Sequence, residues 1–153
     1  MAGSASLLTR VRARSAADDA FIARLSVQAF AEFSQDPGHS TLRMARAGTT
    51  WVAERGGAPV GFAVVRATGE FRAELCAIAV EEHARGLGVG VALLEQIERA
   101  LARAGTTELT LHTADANAAA LELFSKRGFR SEQRLPRFYR GVYDAWAMTK
   151  SIA

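Results

Sequence analysis

Residues 80 to 105, VEEHARGLGVGVALLEQIERALARAG, constrain the chain more than any other stretch. An apolar, strand-like run ends at Val80. A turn follows with glycine at 86, 88 and 90, and an amphipathic helical pattern then runs to Gly105. Glycine lets a backbone approach a ligand with no Cβ in the way. The helix behind the turn aims its first unpaired N–H groups, and the positive end of its dipole, into the turn. Such a turn suits an anion, best of all a phosphate or pyrophosphate. A plainer alternative is that the glycines only let a helix pack close to a strand. Two other uses fail on spacing. A Gly-x-Gly-x-x-Gly fingerprint on Gly86 and Gly88 demands glycine or alanine where Val91 stands, and a P-loop demands a lysine that the turn does not have.

The 153 residues suit one domain around one core, with a loosely held segment over 1–6 and a single domain over 7–153. A charged fraction of 23% beside a hydrophobic fraction of 49% is that of a soluble globule. No apolar run approaches the roughly 18 residues of a membrane span. The N-terminal MAGSASLLTRVRAR has its cations after its short apolar piece, the reverse of a signal peptide, so a cytoplasmic location is expected. Cys76 is the only cysteine, which excludes an internal disulfide and a thiolate zinc cluster. His39, His83 and His112 are too scattered for a metal spacing, so no metal is expected. A net charge of +3 favours an anionic ligand but is too small and dispersed for nucleic acid.

Along the chain, Leu7 to Ala13 alternates as a first strand. Ser15 caps a helix that continues to about Phe33, and Asp36-Pro37-Gly38 breaks it before a short helix over Ser40 to Arg46. Thr50 to Glu54, Pro59 to Ala67 and Phe71 to Val80 read as three consecutive strands, the first two joined by the hairpin signal Arg55-Gly56-Gly57-Ala58. After the glycine turn and its helix come a strand over Thr106 to Thr113 and a helix over Ala116 to Arg127, stopped by Gly128. Phe129 to Gln133 and Tyr143 to Lys150 close the chain as strands around a loop from Arg134 to Val142. The order predicts an α/β fold with a sheet of mixed direction, not a doubly wound one, since three strands arrive through hairpins.

The turn Arg85-x-x-Gly88-x-Gly90 resembles the pyrophosphate-binding motif of the GNAT superfamily of acyl-CoA-dependent N-acetyltransferases. Asn117-x-x-Ala120-x-x-Leu123-Phe124-x-Lys126-x-Gly128-Phe129 resembles that family's second signature, in the family's order and spacing. The resemblance implies a mostly antiparallel central sheet whose fourth and fifth strands splay apart, flanked by about four helices. It implies acetyl-CoA as co-substrate. The backbone of Ile78, Ala79 and Val80 would hold the pantetheine arm, and Arg85, Gly86, Leu87, Gly88, Val89, Gly90 and Val91 the pyrophosphate. Asn117 would contact the end of the pantetheine, besides capping its helix, and Phe124 would flank the thioester.

Aminolysis of a thioester needs a neutral amine, hence a base, and a donor for the developing oxyanion. It needs no covalent enzyme intermediate, so Cys76 reads as a small buried hydrophobe. Glu74 is the candidate base: alternation places it on the face of Cys76, Ile78 and Val80, at a position resembling the catalytic glutamate of some family members. The other reading of Glu74 is a strand-end carboxylate paired with a cation such as Arg72. Glu81, Glu82 and His83 are expected to point toward solvent. The family's usual acid, a tyrosine, is replaced by Phe124, whose ring has no proton to give. Tyr139 is the candidate substitute acid or substrate-binding residue.

Pro136-Arg137-Phe138-Tyr139 and Tyr143-Asp144-Ala145-x-x-Met148 resemble the closing hairpin of the ribosomal-protein-alanine and N-terminal-amine branch, with Phe138 in place of a first tyrosine. That points to a peptide or protein N-terminus as acceptor, with Phe30 and Phe33 as the opposite wall of its site. A small amine is the rival acceptor. A cationic one would want a groove of acids, for which Glu32, Asp36, Glu70 and Glu74 are available. A non-catalytic acyl-CoA-binding module is the rival class. A homodimer is left open.

Overall fold

A computed structural model of the chain describes residues 8–152. The segment 1–6 and Leu7 lie outside the described residues. Among the described residues seven strands form one sheet: β1 (Thr9–Ala13), β2 (Thr49–Arg55), β3 (Ala58–Ala67), β4 (Arg72–Val80), β5 (Glu108–Ala114), β6 (Arg130–Tyr139) and β7 (Tyr143–Ser151). Their order across the sheet is β1-β2-β3-β4-β5-β7-β6. Of these strands only β4 and β5 pair in parallel; the other five pairings are antiparallel. The helices α1 (Asp19–Phe30), α2 (Pro37–Ala47), α3 (Val89–Arg103) and α4 (Ala118–Lys126) cover the two faces.

The helical periodicity places each helix. In α3, Val89, Leu93, Leu94 and Ile97 recur at helical spacing, and each is 1% exposed or less. They pack on one face of the sheet with Phe124 of α4 and with Leu75, Leu109 and Leu111 of β4 and β5. Ile22 and Leu25 of α1 and Ala45 of α2 pack on the other face, against Val52, Phe62 and Val64. Both α3 and α4 stop at a left-handed glycine, Gly105 (φ 86°) and Gly128 (φ 93°). The following amides, of Thr106 and Phe129, bond back to Leu101 O (2.9 Å) and Phe124 O (3.0 Å). These bonds satisfy carbonyls that the helix end leaves free.

Three boundaries beside the site differ from the sequence expectation. First, α1 ends at Phe30, so Phe33 lies in a turn. Second, Pro37 is not a gap between helices but the first residue of α2, where its missing N–H costs nothing. Third, β6 continues to Tyr139 through the stretch expected as a loop. The pairing skips there: Leu135 faces Ala145 and Tyr139 faces Tyr143, so three residues of β6 stand opposite one of β7. Asp144 holds this bulge, accepting from the Arg137 amide (2.9 Å) and from Arg134 Nη2 (3.0 Å). The connection is only Arg140, Gly141 and Val142.

Candidate active site

The pairing of β4 with β5 covers only Arg72–Leu75 against Glu108–Leu111. Beyond it β5 stays with β7 while β4 stays with β3, and the two strands diverge. The edge of β4 from Cys76 to Val80 therefore has no strand beside it among the described residues. The Glu81 amide donates to Val60 O on β3 (2.8 Å). Antiparallel hydrogen bonding alternates, so Ala79 also spends its backbone groups on β3, while Ile78 and Val80 turn theirs to the open edge. Of the three backbones expected at the pantetheine arm, those of Ile78 and Val80 face the open edge and that of Ala79 does not.

Past Val80 the chain makes one 3-10 turn and enters the glycine turn. Gly86 (φ 76°) and Gly88 (φ 82°) are left-handed, and a Cβ at either would meet nothing within 4 Å. Backbone conformation, not crowding, requires glycine there, and the space over the turn is open. Gly90 differs, since a Cβ on it would come within 3.1 Å of Leu123 on α4. The close-packing reading of the glycines holds for Gly90 alone. The first bond of α3 runs from the Ala92 amide to Gly88 O (3.0 Å), which leaves the first-turn amides of Val89, Gly90 and Val91 without helical partners. The exposed Arg85 curls back, its Nε 3.4 Å from Val80 O.

A cavity of about 600 Å³ runs from this turn along Ile78, Ala79 and Val80 to Asn117 and Phe124. A second, of about 200 Å³, continues into the splay between Cys76 and His112 and ends against Tyr139. Phe30, Phe33, Ile78, Asn117 and Phe124 line both. Asn117 caps α4 by accepting from the Ala120 amide (3.2 Å). Phe124 is 3% exposed and meets the ring of Phe129 edge-on. Open turn, free amides and an unpaired strand edge lie along one channel, a fit to a long ligand with a diphosphate at one end.

Glu74 is not where alternation put it. Val64 faces Ala77 and Val65 faces Leu75, so Cys76 is bulged out of the β3–β4 register. The bulge flips the faces: Leu75, Ile78 and Val80 pack with α3, whereas Cys76, Ala77 and Ala79 pack with α1 and α2. Glu74 shares the side of Cys76, with Cys76 Sγ 3.8 Å from its Oε1, and not that of Ile78 and Val80. Its Oε1 is held by Arg66, at 2.9 Å from Nε and 2.8 Å from Nη2. The partner is thus Arg66 rather than Arg72, which pairs with Glu108. The other oxygen, Oε2, lies 3.6 Å from His112 Nδ1. Glu74 does not line the small cavity; His112 does. Periodicity could not reveal this, because the pair forms across the β4–β5 contact.

Cys76 lines the same cavity, its thiol pushed up to about 11 by burial and by the nearby Glu74 charge. It stays protonated at neutral pH and is no nucleophile. Glu81 is buried and paired with Arg24 of α1 at 2.5 Å, not turned to solvent as expected. The β6–β7 hairpin closes the cavity. Tyr139 packs on Phe33 with ring centres 5.6 Å apart, Phe33 on Tyr143 at 5.2 Å, and Phe138 on His112 at 4.9 Å. Burial raises the Tyr139 phenol to about 12, with the Glu74 charge adding to the effect.

Residues 14–129 match the profile of the acetyltransferase (GNAT) family. The chain belongs to that family. An uncharacterized N-acetyltransferase of Methanocaldococcus jannaschii is 30% identical over 101 residues, which span 65% of this chain and 64% of that protein. Among solved structures, the ribosomal-protein-S18-alanine N-acetyltransferase of Escherichia coli superposes with a TM-score of 0.82 at 23% identity, over 95% of both chains. A GNAT family acetyltransferase of Elizabethkingia anophelis with acetyl-CoA bound gives 0.77 at 19% identity, over 94% of this chain and 97% of that one. These likenesses are of fold, which in this GNAT member is a seven-stranded sheet splayed after its parallel β4–β5 contact.

Proposed function

We propose that this GNAT protein moves an acetyl group from acetyl-CoA to a primary amine by direct attack, and that the amine is the N-terminus of a peptide or protein. The meeting of the two cavities at Ile78, Asn117 and Phe124 carries the reading, because it brings a donor channel and an acceptor pocket to one point. The glycine turn and the first amides of α3 would hold the diphosphate, and the free edge at Ile78 and Val80 the pantetheine amides. The hairpin that carries Tyr139, set against Phe33, suits a chain end laid across the sheet, as does the shared fold with an enzyme named for a ribosomal-protein alanine. We place the reaction in the cytoplasm; among the described residues no helix is long and apolar enough to cross a membrane.

Transfer forms one C–N bond and breaks the thioester C–S bond, the electron pair leaving on sulfur and one proton leaving nitrogen. His112 faces the pocket and is the group placed to take that proton, with Glu74 behind it to hold the charged ring. Glu74 thus acts as the base through His112 rather than alone. Tyr139 is a poor acid for the leaving thiolate. A phenol near 12 gives no proton readily to a thiolate whose own pKa is ordinarily about 8.5. The thiolate leaves unassisted past Phe124, and Tyr139 serves to position the acceptor.

The experiment is a panel of peptides and small amines incubated with purified protein and acetyl-CoA and read by mass spectrometry. Acetylation confined to peptide α-amines supports the reading. Acetylation of small amines alone overturns the peptide assignment, and tight CoA binding with no transfer overturns the enzyme.

A further inference from the structure

The small cavity has an unusual electrostatic make-up for a site that receives amines. Among the described residues, no aspartate, glutamate, lysine or arginine lines it. Of its lining side chains only His112 carries a basic nitrogen. Of the four acids that a cationic acceptor would want, Glu32 reaches only the donor channel, and Glu74 stands outside the small cavity, one oxygen held by Arg66 and the other toward His112. Neither Asp36 nor Glu70 lines either cavity. The wall facing the splay is uncharged: Phe33, Pro37, Met44 and Tyr139 supply apolar and aromatic surface, with the hydroxyls of Ser34, Ser40 and Thr41 among them. At about 200 Å³ the space suits one side chain rather than an extended polyamine.

Resting on the N-acetyltransferase reading, we propose that the group next to the reacting amine is uncharged and apolar, so that the preferred N-termini begin with residues such as leucine or methionine. A second cation beside the amine would be buried without a counter-ion, and apolar packing in the pocket does not offset that desolvation. A first-position aspartate fails for the same reason. Met44, unbranched and half-buried, adapts the wall to aliphatic groups of differing shape.

The test measures kcat/KM for peptides identical after position one and beginning with Leu, Met, Lys or Asp, beside 2-phenylethylamine and spermidine. A preference of about tenfold or more for Leu and Met over Lys and Asp supports the proposal. Preference for phenylethylamine over spermidine, with no peptide acetylated, supports the apolar pocket while overturning the peptide assignment. Equal or better use of the cationic acceptors overturns the pocket proposal and leaves the transferase intact; transfer to none overturns both. A Met44→Glu variant sharpens the outcome. Its added carboxylate should shift the Lys-to-Leu ratio about tenfold toward Lys, and an unchanged ratio shows that Met44 does not face the acceptor.

Discussion

In the proposed reaction Glu74 and His112 take the proton of the amine and Tyr139 positions the acceptor, and each works through what holds it. Arg66 fixes one oxygen of Glu74 and the other faces His112, so in the proposed reaction the carboxylate would orient the imidazole rather than meet substrate. His112→Ala should lower kcat by about a hundredfold, with part of the rate restored by added imidazole. Glu74→Gln should cost about tenfold and leave imidazole rescue of the double variant no better; an unchanged rate in Glu74→Gln removes the pair from the mechanism. Tyr139→Phe should raise KM for the acceptor several-fold with kcat nearly kept, since a phenol near 12 is no acid for a thiolate. Of these roles, the sequence showed residue type and little else. Glu74 was legible from its place on a strand. Its partner His112 was not, because residues on β4 and β5 meet only after a crossover through α3, and no periodicity spans that distance.

At the scale of elements, the parts proposed to hold the donor were legible, and Phe30, Phe33 and Tyr139, expected around the acceptor, do line the small cavity, whereas the strand register around them was not legible. The glycine turn, the cap at Asn117 and the stop at Gly128 are local devices, written in consecutive residues. Gly88→Glu should abolish CoA binding in calorimetry, whereas Gly88→Ala should keep most of it and lose only about 1 kcal/mol of stability, the cost of a left-handed alanine. Similar binding by both variants detaches the turn from the diphosphate. The bulge at Cys76 defeats alternation because nothing local marks it; it is set by the register of β3. The end of β6 misled for a different reason. Pro136 and its basic neighbours read as a loop, yet Asp144 on the partner strand supplies the bonds that keep the bulge in the sheet. The Arg137 amide and Arg134 hold its carboxyl below the usual range. Asp144→Ala should therefore weaken acceptor use several-fold, by loosening Phe138 and Tyr139, while CoA affinity stays unchanged.

For the whole molecule, the sheet and its two apolar layers follow from hydrophobic periodicity, and a few buried charges tie the layers to the edge. Asp18 is 4% exposed and takes two bonds from Arg12, at 2.7 and 2.8 Å, while Arg12 also reaches Glu54 at 2.9 Å. These bonds hold the Asp18 carboxyl below its ordinary value. Its folded pKa lies under its unfolded one, so the stabilisation is whole above about pH 4 and is lost as pH falls through the folded value. Asp18→Asn should be less stable than wild type by about 2 kcal/mol at pH 7, roughly 5 °C in melting temperature, with the gap closing below about pH 4. A gap independent of pH would assign the loss to packing instead. Both cavities depend on this frame, since both open where one sheet parts between β4 and β5. The most direct test of the reaction itself is single-turnover mass spectrometry of a leucine-initiated peptide with acetyl-CoA. One acetyl group should appear on the α-amine, at a rate that falls about a hundredfold in His112→Ala. CoA bound at the glycine turn with no acetyl group on any amine would contradict it.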